Sequence, residues 1–441
     1  MKDSQVSRRA VMAGTTAAGA LGLSGFPARA EPNWKKYAGT TLEVLLAKGP
    51  RGDLVQKNVA EFTELTGIKV GSEQIPEQQQ RQKAVIELAS GKPSFDVIHV
   101  SYHVQKRQFE KAGWLADISG YMKDPNLTTA DLVENDFSAG GLSFAKNEKG
   151  QMLSLPWSVD YFILYYNKEM FAAKGVAVPQ TLEEMFVAAE KLTDEKAGVF
   201  GYVGRGLRNA NMTLWTNYFL NYGGEFFDAK GNLATDGPEA IEATKYYQRI
   251  STKVAPPGLV GFNWMESLAA FAQGRAAMWI DGVGWAPGVE DPNASRIAGK
   301  VGYAMVPAGP KGRFSATYGD GIGIAAASKN KEAAYLFCQW VVNKQNCARL
   351  LQAGGGVPFR NSVLNDAEVR KGVKLPPEWM QAVIEAAKIS KLGLPVVIPV
   401  AEFRDLVGAA ITATLSGADP ATELKKAHEQ YRPILERSEK T

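Results

Sequence analysis

Long apolar runs, cysteine, histidine and one-signed charge are all scarce in this chain. No stretch reaches the roughly 20 uncharged apolar residues that a membrane-spanning helix needs, which excludes an integral membrane protein of the helical kind. Two cysteines and three histidines among 441 residues exclude a disulfide framework and leave too little for a zinc site. No run of five or more like charges occurs, and the formal charge of +4 is concentrated at the N-terminus, where Lys2, Arg8, Arg9 and Arg29 face only Asp3. The rest of the chain is near neutrality, so no electrostatic footprint for nucleic acid remains. Also missing are G-x-S-x-G, H-E-x-x-H, a Walker sequence and any Cys–His pairing that would nominate a nucleophile. Carboxylates are plentiful, so a pair of glycosidase type stays open.

The length exceeds what one ordinary core supports and predicts two domains. Ser7-Arg8-Arg9, the apolar Ala10 to Leu23 segment and Ala28-Arg29-Ala30 have the three parts of a cleaved export peptide. The paired arginines resemble a twin-arginine signal, with general export as the alternative. Residues 1–30 are therefore assigned to a signal peptide and the mature protein to the periplasm.

Short apolar strands at Thr41 to Leu46, Ile68 to Val70, Asp96 to Val100 and Phe162 to Tyr166 alternate with helical patterns, the mark of a parallel sheet covered on both faces. Helices are expected through Phe62 and Leu65, over Arg81 to Ala89, Gln105 to Lys111, Glu239 to Ile250, Met265 to Gln273, Glu332 to Leu351, Trp379 to Ala387 and Glu402 to Leu415. Thr181-Leu182-Glu183-Glu184 fits a capping box that fixes another helix start. Cys338 and Cys347 fall on opposite faces of the Glu332 helix, too far apart to bridge, and are expected to be buried free thiols.

Three motifs read as packing. Gly321-Ile322-Gly323-Ile324-Ala325-Ala326 has dinucleotide-like spacing but runs into a strand-like segment, so no helix N-terminus is available for a phosphate. His99 lies in a strand and His103 in the loop beyond it, which denies them a shared metal. Tyr165 and Tyr166 would point to opposite faces of one strand, poorly placed to hold iron together. No cofactor is expected.

Aromatic, Asp and Arg residues, in contrast, gather at strand ends and turns: Trp157 to Tyr161, Arg205-Gly206, Phe262-Asn263-Trp264, Asp281 to Trp285, Tyr318-Gly319-Asp320 and Pro358-Phe359-Arg360. A sugar offers an apolar C–H face and vicinal hydroxyls, which call for flat rings and fork-shaped Asp or Arg groups. Open α/β sheets bind ligands on this side. The candidate contacts are Tyr102, His103, Asp160, Tyr161, Arg205, Trp264, Asp281, Trp285, Tyr318, Asp320 and Arg360.

Five blocks carry a resemblance. They are Ala89-Ser90-Gly91 through Phe95-Asp96-Val97, Ala112-Gly113-Trp114-Leu115-Ala116-Asp117-Ile118, Tyr165-Tyr166-Asn167-Lys168-Glu169-Met170-Phe171, Phe271-Ala272-Gln273-Gly274-Arg275-Ala276-Ala277-Met278, and Gly356-Val357-Pro358-Phe359-Arg360-Asn361-Ser362-Val363. In this order the chain resembles the family 1 extracellular solute-binding proteins of sugar ABC importers, the maltose and polyol binders among them. The resemblance implies an α/β, two-lobe periplasmic-binding-protein fold of type II, each lobe an α/β sandwich, hinged around a ligand cleft. Lobe 1 would comprise 31–157 with 318–342, and lobe 2 158–317 with 343–441. Pro156 to Tyr165 and Arg313 to Ile322 would be the crossings, with re-entry near Val342. The family's acidic contact falls on Asp160, and its aromatic-rich turn on Asp281 to Trp285. The segments from Lys191 to Arg205-Gly206, and Pro256-Pro257-Gly258, look similar to mannitol and sorbitol binders. A departure, Ala47-Lys48-Gly49-Pro50 without the acidic residue or Trp that some sugar binders place there, leaves a negatively charged or amino-bearing sugar open. The implied protein is a monomeric, non-enzymatic binding component that takes a sugar or polyol to membrane permease subunits. A secreted glycoside hydrolase and a metal or iron binder of the same fold are the alternatives.

Overall fold

The computed structural model describes residues 31–440; the expected export peptide lies outside them. Its strands are β1 (Thr41–Ala47), β2 (Lys69–Ile75), β3 (Val97–Ser101), β4 (Ser154–Asn167), β5 (Met278–Gly282), β6 (Val301–Met305), β7 (Ser315–Ile324) and the short β8 (Val357–Pro358) and β9 (Ser390–Leu392). β3 is buried throughout and β1 from Val44 onward, as apolar strands between two helical layers must be. β1 pairs in parallel with β2 and β3, and β3 lies antiparallel to β7.

Two long strands run through the middle of the sheet. β4 pairs with β7 through Ser154–Tyr161 and then, beyond Phe162, with β5 and β6. β7 in turn pairs with β3, β4 and β9. The Gly321–Ile324 segment is indeed strand. Glycine is required at 321 because an added Cβ would stand 2.0 Å from the Tyr102 hydroxyl oxygen.

Several helix assignments shift in informative ways. The helix after β3 spans Tyr102–Ala112, so Tyr102 and His103 open a helix where a loop was expected. Thr181 Oγ1 accepts from the Glu184 amide at 3.2 Å, but the Glu184 carboxylate accepts from the Gln180 amide rather than that of Thr181. The expected helix from Glu332 to Leu351 is two, Lys331–Val341 and Lys344–Gln352, because Asn343 caps the second by accepting from the Asn346 amide at 2.7 Å. Cys338 and Cys347 are free and buried as expected. Tyr165 is fully buried, its hydroxyl donating to Gly282 O at 2.6 Å. Among the described residues no helix is long and apolar enough to cross a membrane.

Candidate functional site

Where β1, β3 and β5 end, a cavity of about 70 Å³ opens against the middle of β4 and β7. That is several times the roughly 10–15 Å³ that one ordered water needs. It suits a small solute and leaves no room for an oligosaccharide unless the walls part.

β4 supplies the centre. A bulge between Pro156 and Ser158 resets the period-two alternation, so that Ser158, Asp160 and Phe162 share one face and Tyr161 takes the other. Opposite stands Arg51, in the first turn of helix Pro50–Thr66. Its Nε donates to Ser158 Oγ, its Nη2 to Asp160 Oδ2 at 2.5 Å, and Asp320 Oδ2 lies 3.5 Å from Nε. One guanidinium thus serves two carboxylates, the buried Asp320 and the part-buried Asp160, and they respond unequally. Burial opposes the charge on Asp320, yet Arg51 and then His99 hold its carboxyl below the usual range. For Asp160 burial prevails: its carboxyl is raised, with Arg51 opposing and Asp320 adding to the rise.

The second charged pair is closed. Arg205 donates from Nε to Asp281 Oδ2 at 2.8 Å and from Nη2 to Oδ1 at 2.5 Å, and Asp281 is completely buried. Asp281 Oδ1 also accepts from Trp285 Nε1 at 3.0 Å and the Gly282 amide at 2.7 Å. Trp285 is thereby fixed at the cavity wall, with Trp264 stacked behind it at 4.0 Å and 9°. Glycine at 284 lets this turn approach β4: its amide donates to Asp160 Oδ1 at 3.0 Å, and a Cβ there would meet that oxygen at 2.9 Å.

His103 lies between Arg81 and β7. Nη2 of Arg81 is 3.1 Å from its Nε2, and Gly319 O is 3.3 Å from Nδ1. A guanidinium only donates, so Nε2 accepts and Nδ1 carries the hydrogen. Burial, then Arg81, push the imidazole down to about 3. An unfolded histidine binds its proton near 6.5, so the unfolded chain holds more protons between those values and stability must fall as pH drops from 6.5 towards 3. His103→Gln, which can still accept from Arg81 and donate to Gly319, should flatten this limb of a melting-temperature profile taken from pH 7 to pH 3. An unchanged slope would assign the limb to other groups.

Of the expected contacts, His103, Asp160, Arg205, Trp285, Tyr318 and Asp320 line this one cavity, and Asp281 stands behind Arg205. The other four do not line it. Tyr102 is buried, its hydroxyl 2.7 Å from Ser154 Oγ and its ring stacked on Phe144. Tyr161 points to the opposite face of β4. Trp264 is the first residue of helix Trp264–Ala272, not a loop residue, and backs Trp285. Arg360 is 1% exposed and ties Asp136 Oδ2 (2.7 Å), Asp131 O (2.5 Å) and Val342 O (3.3 Å) together, a structural clamp rather than a cleft fork. Sequence reasoning missed Arg51, Glu77, Ser101, Phe162 and Thr213, which also line the cavity, and read His99, another liner, only as packed.

Residues 48–346 match the family model described as bacterial extracellular solute-binding protein. A probable amino-acid ABC transporter periplasmic-binding protein of Sinorhizobium fredii is 28% identical over 76% of each chain. The erythritol/L-threitol-binding protein of Mycolicibacterium smegmatis is 26% identical over 76% of this chain and 73% of its own. A solved ABC transporter solute-binding protein of Agrobacterium radiobacter, in complex with ribitol, superposes with a TM-score of 0.82 at 26% identity, covering 92% of this chain and all of that one. The expected α/β periplasmic-binding-protein fold therefore holds over nine-tenths of the chain.

Proposed function

Because the chain belongs to the bacterial extracellular solute-binding proteins, we propose that it is the exported, non-enzymatic capture component of an ABC importer and takes a single-unit sugar or sugar alcohol to membrane permease subunits. The observation that carries this reading is the cavity itself: two arginine–carboxylate clusters and a fixed indole converge on a space of about 70 Å³. Vicinal hydroxyls fit between fork-shaped charged groups, and the C–H face of a carbon chain fits against Trp285. The relative that binds erythritol and L-threitol and the neighbour in complex with ribitol point to the same ligand size.

We divide the chain into lobe 1, 31–157 with 318–342, and lobe 2, 158–317 with 343–441. β4, β7 and the break near Asn343 are then the crossings, and the cavity lies at their junction. Arg51 and His99 come from one lobe, Arg205 and Trp285 from the other. Closing the lobes assembles the site, as hinged binding proteins do.

The test is titration calorimetry with four-, five- and six-carbon sugars and alditols, read in parallel by tryptophan fluorescence. A ligand from this set should bind saturably and change the emission, because closure takes Trp285 from water into a dry contact. Trp285→Ala should weaken binding by about 1–3 kcal/mol, since stacking removes ring area from water at about 25 cal/mol per Å², while denaturant stability changes little. Failure of the whole set to bind would overturn the reading, and so would consumption of a glycoside detected by mass spectrometry.

A further inference from the structure

Asp320 is a carboxylate that accepts no hydrogen bond in a place where one is needed. β7 carries it between Ser101 of β3 and Ser158 of β4, its register partners, and it lines the cavity at 7% exposure. Both serine hydroxyls are engaged by arginines, Ser158 Oγ accepting from Arg51 Nε and Ser101 Oγ from Arg81 Nη2 at 3.1 Å. Arg51 Nε stands 3.5 Å from Asp320 Oδ2 with its hydrogen given to Ser158. His99 Nε2 stands 3.4 Å from Oδ1, outside bonding geometry, and among the described residues neither nitrogen of that buried ring has a hydrogen-bond partner. Buried polar side chains are in the large majority hydrogen-bonded, and this pair of them faces the cavity instead.

The charges point the same way. Besides two histidines, the cavity is lined by Lys48, Arg51, Glu77, Asp160, Arg205 and Asp320. Arg205 is closed on Asp281 and Glu77 is paired with Arg81. Lys48 is the one exposed member and has no ion pair among the described residues, so water weakens its field. That leaves Arg51 facing two carboxylates. Asp160 takes the larger share: Oδ2 accepts from Arg51 Nη2 at 2.5 Å and Oδ1 from the Gly284 amide at 3.0 Å. Asp320 is left as a buried anion that is approached but not bonded, a costly arrangement. A ligand hydroxyl would supply one hydrogen and no charge. An ammonium supplies three donors and the missing positive charge.

Resting on the reading of this cavity as a site for a small polyhydroxylated solute, we propose that Asp320 selects the ligand and that the solute carries an amine, a single-unit amino sugar or amino alditol whose ammonium donates to Asp320 while its hydroxyls meet Asp160 and Arg205 and its C–H face lies on Trp285. Charge-assisted bonds are about twice as strong as neutral ones, and a site built around a buried polar group rejects the analogue that leaves it unpaired.

Calorimetry at pH 7 on the mature chain, with D-glucosamine against D-glucose and D-glucamine against D-glucitol, tests this. In one pair or both the amine should bind at least about tenfold more tightly than its hydroxyl counterpart. N-acetyl-D-glucosamine, whose nitrogen carries no charge, should bind no better than D-glucose. Asp320→Asn, which keeps the volume and removes the charge, should weaken the amine at least about tenfold and its neutral counterpart less than about threefold. A merely structural Asp320 would not produce that split. Asp320→Ser is the second variant should that protein not fold, and the comparison of ligands on the native chain needs neither. Neutral solutes binding as tightly as the amines would overturn the proposal and leave the parent reading standing. The N-acetyl sugar binding as tightly as the amine, or equal losses for amine and neutral solute in the variant, would overturn it too. If amines, alditols and neutral sugars all fail to bind, the parent reading falls and this inference with it.

Discussion

Asp281→Ala should lose about 3–5 kcal/mol of folding stability in urea denaturation, the characteristic cost of removing one member of a buried ion pair. The side chain is completely buried, and its two oxygens take four donors: both forks of Arg205, Trp285 Nε1 and the Gly282 amide. Truncation leaves the Arg205 guanidinium in a place that water does not reach. Tyr247, whose hydroxyl donates to Arg205 O at 2.5 Å, restrains the backbone and prevents easy retreat. The double variant Arg205→Met with Asp281→Leu should regain most of the loss, because apolar groups of similar volume remove the desolvation problem altogether. It should nevertheless bind ligand poorly, having lost the fork and the anchor of Trp285. A loss below about 1 kcal/mol for Asp281→Ala would mean that water enters this pair, and that the wall beneath Trp285 is not dry.

Asp281 was reachable from sequence because it follows an apolar strand and precedes a Gly-Val-Gly-Trp turn, a local pattern with a local cause. Asp160 was reachable through the family resemblance, whose acidic contact falls on it. Arg51 was not: beside Gly49-Pro50 it reads as a turn residue, yet Pro50 occupies the first helical turn, and only the pairing of β1 with β3, β3 with β7 and β7 with β4 brings it 109 residues along the chain to Asp160. Arg360 shows the converse failure, since an Arg after a strand-end aromatic has the local look of a cleft fork while Asp136 and Asp131 hold it in the interior. Other misses had signals in plain view. Asn343 three residues before Asn346 is a cap within an otherwise continuous apolar period, and Asp419-Pro420 with Glu423 opens the unanticipated helix Pro420–Glu439. Periodicity thus located the elements, caps located their ends, and the cavity needed the topology.

Asp160→Asn is expected to weaken ligand binding at least a hundredfold while costing less stability than Asp281→Ala. The substitution keeps the volume, and a side-chain carbonyl can still accept from the Gly284 amide, so the turn of Trp285 stays in place. What it removes is the charge opposite Arg51, and that guanidinium keeps Asp320 at 3.5 Å as its remaining counter-ion. Hydrogen bonds to charged groups contribute about 1.5–3 kcal/mol each. Asp160 is placed to take two hydroxyls while orienting Arg51, so losses of that size amount to two or more orders of magnitude in affinity. Acidity gives an independent check. Burial and Asp320 raise the Asp160 carboxyl above its ordinary value, so in the native protein affinity should decline on acidification before a solvent-exposed carboxylate would protonate. In folding the sign is opposite: a raised carboxyl contributes stability that is present at low pH and lost as pH rises through the folded value, so the early loss of affinity cannot be put down to unfolding at Asp160. The Asn variant should lack that early decline. Equal affinity in native and Asp160→Asn proteins, measured by calorimetry on the same ligand, would move the ligand's hydroxyls away from β4 and leave Asp160 as nothing more than the partner of Arg51.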